Sequence, residues 1–507
     1  MSAVADCARQ LGPTAWLYGT DYAAGDIVAV LDALDIDGVD FYGDSYGTFV
    51  GQILAGLYPQ RLRSIVLDSA YPVRAPDAWF PSDWATAWKG LDLSCQRSPS
   101  CVALGGSAGA RMRALIDDIR RQPISGQAPD GLGALQPVTL DTGALIRLID
   151  ASGNGASIYR DIDAAARAWL DRHDAQPILR MVAENATAVA RNPTDFSYGL
   201  ATAVTCGEYP LLYDLNARSA VRARQYANAL EQARQYRPDL FAPFTVDEAL
   251  DSQLYITPLD SCLPWPAPPK GLIPGQLLPS SVHFPAVPTL VLSGDLDSVT
   301  STEDAQQVTE QFPNAVHVVV PNLTHVVAGG DLVGCTSSIV SGFVQGLTVG
   351  DTRCITAVRP VRTLPRFARL ARELAPLEPL PGNKSSDSQR RIAAAALEAV
   401  GDVIAQWYAT SGTDLRGLRG GTFSYAGTAN GYDFTLHDLR WTLDVTVSGT
   451  VSWNTNTNVV SAVIDLNASG QATGTLHIHW NDADIQAMAS IQGHVDGAIL
   501  KAQRVAP

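Results

Sequence analysis

The pentapeptide Gly43-Asp44-Ser45-Tyr46-Gly47 stands between two runs of opposite character. Before it comes Gly38-Val39-Asp40-Phe41-Tyr42, β-branched and aromatic. After it Phe49, Val50, Ile53, Leu54 and Leu57 recur at helical spacing until Pro59. A strand, a sharp turn and a helix in that order lift the serine hydroxyl onto the crest of the turn. Glycine on both flanks lets the turn close without a Cβ clash. The free N–H groups of the helix then face the place where negative charge develops when a hydroxyl attacks an acyl carbon. Ser45 is therefore the candidate nucleophile and the N–H of Tyr46 the candidate oxyanion donor. The competing reading is an ordinary Ser/Gly turn that caps a helix.

A chain of 507 residues has room for about two to four domains. With 46% apolar and 17% charged residues it is globular rather than disordered, and a net charge of −15 argues against nucleic acid or an anionic membrane as its main partner. No apolar run is long enough for a membrane span; the nearest, 392–403, is interrupted by Glu398 and Asp402. Seven cysteines lack the C-x-x-C pairs of a zinc site, and their positions suggest Cys95 with Cys101, Cys206 with Cys262, and Cys335 with Cys354. Such pairs favour an oxidising compartment and leave Cys7 over. The beginning Met-Ser-Ala-Val-Ala-Asp has neither a basic n-region nor an apolar h-region, so no signal peptide is expected in it.

Along the chain, a helix carrying Ile27, Val28, Val30, Leu31 and Leu34 precedes the elbow, and residues 63–67 read as a buried parallel strand after it. This alternation is the α/β signature, expected over 1–72. Helical periodicities at 110–121, 145–149, 158–173, 177–190 and 221–234 then point to an inserted helical lid over 73–285, with no alternating strands inside it. The sheet pattern resumes over 286–372 with strands at 289–292 and 315–320 and a last helix at 337–347. A Pro-rich linker is expected at 373–388. Residues 389–507 read as a helix followed by two-faced strands, a small sandwich or a curved sheet packed on the helix.

A serine needs a base to take its proton, and the base needs an acid to orient it. The order Ser, Asp, His, with each partner just after a buried strand, is one in which such a triad occurs on α/β sheets. Ser45, Asp297 and His325 fit it. Asp295 is the competing acid but lies closer to its strand's end; His317 sits inside an apolar strand, and His283 and His173 read as surface residues. His477, His479 and His494 resemble a metal set, yet the first two alternate with Leu476 and Ile478, which reads as a solvated strand face. No phosphate loop, dinucleotide fingerprint or H-E-x-x-H is present, so neither cofactor nor metal is expected.

Six stretches carry a family resemblance: the elbow, Val66-Leu67-Asp68-Ser69, Cys206-Gly207-Glu208, Cys262-Leu263-Pro264-Trp265, Gly294-Asp295-Leu296-Asp297-Ser298-Val299-Thr300, and Thr324-His325. Over about residues 1–355 the chain resembles the actinobacterial tripeptidyl aminopeptidase-like (TAP-like) α/β hydrolases, exported exopeptidases related to prolyl aminopeptidases. The resemblance implies release of short N-terminal units from peptides, with Ser45, Asp297 and His325 as the triad. A peptidase of this kind must hold the substrate's ammonium group, and Glu208, tethered by Cys206, is the candidate. Ser301 departs from the family's acid loop, which usually carries proline there, and the C-terminal β segment lies outside the resemblance.

The larger departure is at the front. Relatives carry further strands and a Gly-rich loop of the G-G-P-G kind before the nucleophile; the stretch before Ser45 has none. That loop supplies the second oxyanion donor, and losing one donor costs roughly 10²–10³ in rate. Its loss, the missing signal peptide and the odd Cys7 are all expected of an N-terminally shortened α/β-hydrolase sheet. An esterase or lipase using the same triad, and a non-catalytic binding paralogue, are the alternatives.

Overall fold

The elbow strand forms as Val39–Asp44 and lies at the edge of a parallel sheet, beside Leu62–Asp68, then Thr289–Gly294, then Ala315–Val320. The computed structural model describes residues 2–74, 77–188, 194, 196–252, 259–270, 272–331, 334–410, 412–470, 472–483 and 486–507. All four strands run the same way, so their C-terminal ends share one rim, where parallel sheets keep their sites. Ser45 follows the first strand, Asp68 ends the second, Asp297 follows the third and His325 the fourth.

Both faces of this sheet are covered, which is why its central strands read as continuous apolar runs. Ile65 and Leu67 pack with Phe49, Ile53 and Leu54 of the elbow helix Tyr46–Leu57 and with Ala305, Val308 and Phe312. Val66, Leu290 and Leu292 point the other way, onto Val318, Val320, Ile339 and Phe343. Alternate residues of one strand thus enter two cores.

The chain divides into two compact units. One comprises Met1–Gly90, Ile149–Ala156 and Arg191–Arg359; the other comprises Leu91–Leu148, Ser157–Ala190 and Pro360–Pro507. The stretch expected to form the lid therefore contributes to both. Its expected helices form as Ala108–Arg121, Thr142–Asp150, Ala156–Arg172, Gln176–Ala188 and Ser219–Tyr236. The expected end of the fourth, at residues 189 and 190, lies outside the described residues. Helices at Pro81–Arg97 and Tyr198–Glu208 were not apparent from periodicity. The expectation of no strands in this stretch is corrected by the antiparallel hairpin Ile124–Pro129 and Leu135–Leu140. Gly126, Pro129 and Pro137 dilute its β-propensity, and half of its alternation faces solvent.

In the second unit the long helix Asp387–Ala409 starts with a capping box, Ser386 and Gln389 each accepting the other's backbone N–H. It packs on strands Thr446–Asn454, Val459–Ala468 and Ala472–Asn481, central members of one nine-stranded sheet among the described residues. Of the two architectures left open for the C-terminal segment, the sheet packed on the helix is the one formed. The stretch 373–388 buries Leu374 and Leu377 and pairs Glu378–Pro379 with the strand Ala498–Val505. Among the two-faced strands, the one that includes Trp453 begins only at Thr446; ahead of it Leu443 N–H donates to Arg369 O (2.8 Å) and Asp444 accepts the N–H of Ala371 (2.9 Å).

The three expected disulfides are present, and Cys7 is free. No helix among the described residues is long and apolar enough to cross a membrane. The charges that interrupt the alanine-rich run are inside the second unit and paired there: Glu398 lies 3.2 Å from Arg504, and Asp402 accepts two hydrogen bonds from Arg180.

Candidate active site

Ser45 adopts φ 49°, ψ −122°, a conformation that costs about 1–3 kcal/mol and persists only where surroundings over-determine it. Its N–H donates to Asp68 O at 3.0 Å, which fixes the turn to the neighbouring strand. The two glycines of the pentapeptide are not equivalent, contrary to the expectation from the motif. A Cβ on Gly43 would lie 2.3 Å from Gly47 O, whereas a Cβ on Gly47 meets nothing within 4 Å. Gly43→Ala is therefore expected to destabilise the first unit by about 2 kcal/mol or more through overpacking. Gly47→Ala, in a helix, is expected to leave stability unchanged or raise it by up to about 1 kcal/mol. Thermal melts of the two variants check both.

At the rim the expected nucleophile, base and acid lie in one hydrogen-bonded row. His325 Nε2 is 2.7 Å from Ser45 Oγ, and His325 Nδ1 is 3.0 Å from Asp297 Oδ2. Asp297 is fully buried, and its carboxylate also accepts from Val299 N–H (2.9 Å), Thr300 N–H (2.9 Å) and Thr300 Oγ1–H (2.8 Å). An acceptor held by so many donors presents Oδ2 to the imidazole in one orientation. With the Nδ1 proton donated to it, Nε2 is left to accept the Ser45 proton. Asp295 is occupied elsewhere, accepting the Asn322 N–H at 2.7 Å. Ser301 caps the next helix, Thr302–Gln311, its side chain accepting the Asp304 N–H. Asp83, on the unforeseen helix Pro81–Arg97, accepts the Ser301 N–H at 3.3 Å; burial, and then the charge of Asp304, push its carboxyl well above the usual range.

The residue after His325, Val326, is left-handed at φ 65°, ψ 78°, which for a β-branched side chain also costs about 1–3 kcal/mol. Neither this strain nor the 3₁₀ turn Ala151–Asn154, whose Gly153 O accepts the His325 N–H, was visible in the sequence: that turn belongs to a stretch that reads as helical insert.

Beside the elbow, the helix Tyr46–Leu57 begins at Tyr46, so the Tyr46 N–H has no acceptor within that helix. The Tyr46 hydroxyl lies 2.6 Å from Thr20 Oγ1, and Thr20 donates through Oγ1–H (2.5 Å) and N–H to the carboxylate of Glu208. Glu208 is buried at the end of the helix Tyr198–Glu208, two residues past the Cys206–Cys262 bridge. Burial pushes its carboxyl up to about 7, although both Thr20 donors pull it down. Tyr71, Tyr209 and Phe49 wall the same region, the two tyrosine hydroxyls 2.6 Å apart.

The other histidines weighed from the sequence lie elsewhere. His317 bonds Ser293 Oγ (2.7 Å) and Gln306 Oε1 (3.2 Å), and burial pushes its imidazole down. His173 and His283 are exposed. So are His477, His479 and His494, on the sheet face opposite Leu476 and Ile478.

Residues 12–94 match a family model described as alpha/beta hydrolase fold, and residues 247–354 one described as TAP-like protein. No curated protein sequence matches the chain. Among solved structures, Est816, described as an N-acyl homoserine lactone degrading enzyme, is 18% identical over 64% of this chain and 74% of its own, with a TM-score of 0.25. The α/β hydrolase MGS-M2 from a Medee basin deep-sea metagenome library is 13% identical over 65% of this chain and 72% of its own, with a TM-score of 0.25. The serine hydrolase CCSP0084 from Cycloclasticus zankles has the same identity, coverages and TM-score.

Proposed function

We propose that this chain, a TAP-like α/β hydrolase by its family matches, is an exported serine exopeptidase that releases short units from peptide N-termini. One observation carries the reading: the continuous row from Asp297 through His325 to Ser45, with contacts of 3.0 and 2.7 Å. In this reading the Ser45 oxygen attacks the acyl carbon while His325 Nε2 takes its proton, and Asp297 stabilises the imidazolium. The Tyr46 N–H faces the oxyanion. His325 then gives the proton to the departing amine, and water repeats the cycle on the acyl-enzyme. The three disulfides favour the oxidising environment an exported protein meets.

Glu208 supplies the exopeptidase element. A carboxyl beside the elbow and pushed up to about 7 by burial gains most from a cation that replaces lost solvation. Glu208→Gln is expected to lower kcat/KM on aminopeptide anilides about 30-fold or more, with far smaller effects on acetyl-blocked anilides and p-nitrophenyl esters. KM for the free-amine substrates should fall as pH rises through about 7, where the carboxyl ionises. Equal loss on all three substrates rejects the ammonium role. Ester cleavage without anilide cleavage by the unaltered protein favours an esterase.

A further inference from the structure

Four successive N–H groups beginning at His325 are each captured by another part of the chain. His325 N–H donates to Gly153 O (2.8 Å) and Val326 N–H to Ser69 Oγ (2.8 Å). Val327 N–H donates to Asp68 Oδ1 (3.0 Å) and Ala328 N–H to Asp68 Oδ2 (2.8 Å). These bonds surround Val326, the residue whose left-handed backbone a β-branched side chain resists. Without them, Val326 would be free to relax toward the β region, which would turn the preceding residue, His325, away from Ser45. A strained residue next to a base, held by groups remote in the chain, is what a geometry under tension requires.

The same dipeptide reaches the other two members of the row. Asp68 O accepts the Ser45 N–H at 3.0 Å, and Ser69 N–H donates to Leu292 O at 2.8 Å, on the strand that leads to Asp297. Asp68 and Ser69 are fully buried, and Tyr42 Oη–H donates to Asp68 Oδ2 at 2.9 Å, so the dipeptide is itself fixed. Gly153 closes the far side. A Cβ there would lie 2.3 Å from Ser298 Oγ and 2.6 Å from Ser298 N, so only glycine lets its carbonyl reach His325 while this 3₁₀ turn rests on Ser298.

We propose that Asp68, Ser69 and Gly153 are positioning residues, a main-chain clamp that holds the imidazole of His325 on Ser45 against the strain at Val326. The proposal rests on the reading of Ser45 and His325 as nucleophile and base. The clamp touches no reacting atom; it sets the distance across which the proton moves, and a misplacement of about 1 Å costs roughly 100-fold.

The test is the rate of covalent labelling of the full chain by a fluorophosphonate probe, with melting temperatures measured in parallel. Unaltered protein is expected to label, and Ser45→Ala not to. Ser69→Ala, which removes one acceptor and adds no bulk, is expected to label about 10- to 100-fold more slowly while the protein stays folded, its melting temperature lowered by no more than a few degrees. Asp68→Asn should slow labelling at least as much; if it does not fold, Ser69→Ala decides. In a Val326→Gly background the left-handed turn is free of strain, so adding Ser69→Ala should there cost less than about threefold. A purely structural serine would not show that dependence. Labelling of Ser69→Ala and folded Asp68→Asn at the unaltered rate overturns the clamp while leaving the nucleophile intact, and an equal cost of Ser69→Ala in both backgrounds overturns the strain argument. Failure of the unaltered protein to label overturns the underlying reading instead.

Discussion

Ser45→Ala is expected to abolish labelling by an active-site phosphonate and to cut hydrolysis of any substrate by about 10⁶-fold without unfolding the protein. The size follows from the proposed mechanism: a serine nucleophile 2.7 Å from a histidine base would act with it as one unit, so removing either member removes both. Asp297→Asn should cost about 10⁴-fold, because an amide NH₂ facing Nδ1 stabilises the wrong imidazole tautomer. Thr300 would still hold the replaced side chain in place, so the loss reads the tautomer and not a displaced loop. Steady-state rates on one ester and one anilide check this series. A Ser45→Ala protein that still labels moves the nucleophile to another residue.

Arg180→Met is expected to destabilise the second unit by about 3–5 kcal/mol. Arg180 and Asp402 are each 2% exposed and joined by two hydrogen bonds of 2.9 and 2.8 Å, and Glu184 lies 3.5 Å from the same guanidinium. Burial pushes Glu184 up to about 8 despite Arg180, and Asp402 is the carboxylate that Arg180 holds through both hydrogen bonds. Truncating the arginine leaves that charge buried and alone. Arg180→Met with Asp402→Leu should recover most of the loss, since replacing both members of a buried pair is often neutral. Urea titrations followed by tryptophan fluorescence measure both, and a single variant as stable as the unaltered chain refutes the argument. Glu184 adds a pH dependence. Its folded-state value is raised above the ordinary 4.5, so it favours the folded state fully below about 4.5 and loses that contribution as pH rises through about 8. Glu184→Gln should flatten the decline across that window.

Local features were the legible ones. The elbow was readable because a strand, a glycine-flanked turn and a helix are all specified within a short span, each by its own neighbours. The two-faced C-terminal strands were readable for the same reason, since alternation survives in one dimension, and so was the six-residue spacing of Cys95 and Cys101. Even there the motif overstated its second glycine, since only the fold shows that Gly47 has open space where Gly43 has none. The hairpin Ile124–Leu140 was missed because Gly126, Pro129 and Pro137 hide it locally, and its strands form by pairing with each other.

The amino-acid order by itself determined which side chains are chemically fit to react: a serine on a sharp turn, and an aspartate and a histidine each just beyond an apolar strand. Only the tertiary structure decided what holds them, because hydrogen bonds to backbone N–H groups depend on position and leave almost no mark on residue identity. Asp68 and Ser69 read as the end of a strand and Gly153 as a residue in a helical insert, and nothing in the sequence marked Thr20. Parallel strands bring their ends to one rim whatever the chain length between them, and there these residues meet His325, Ser298 and Glu208.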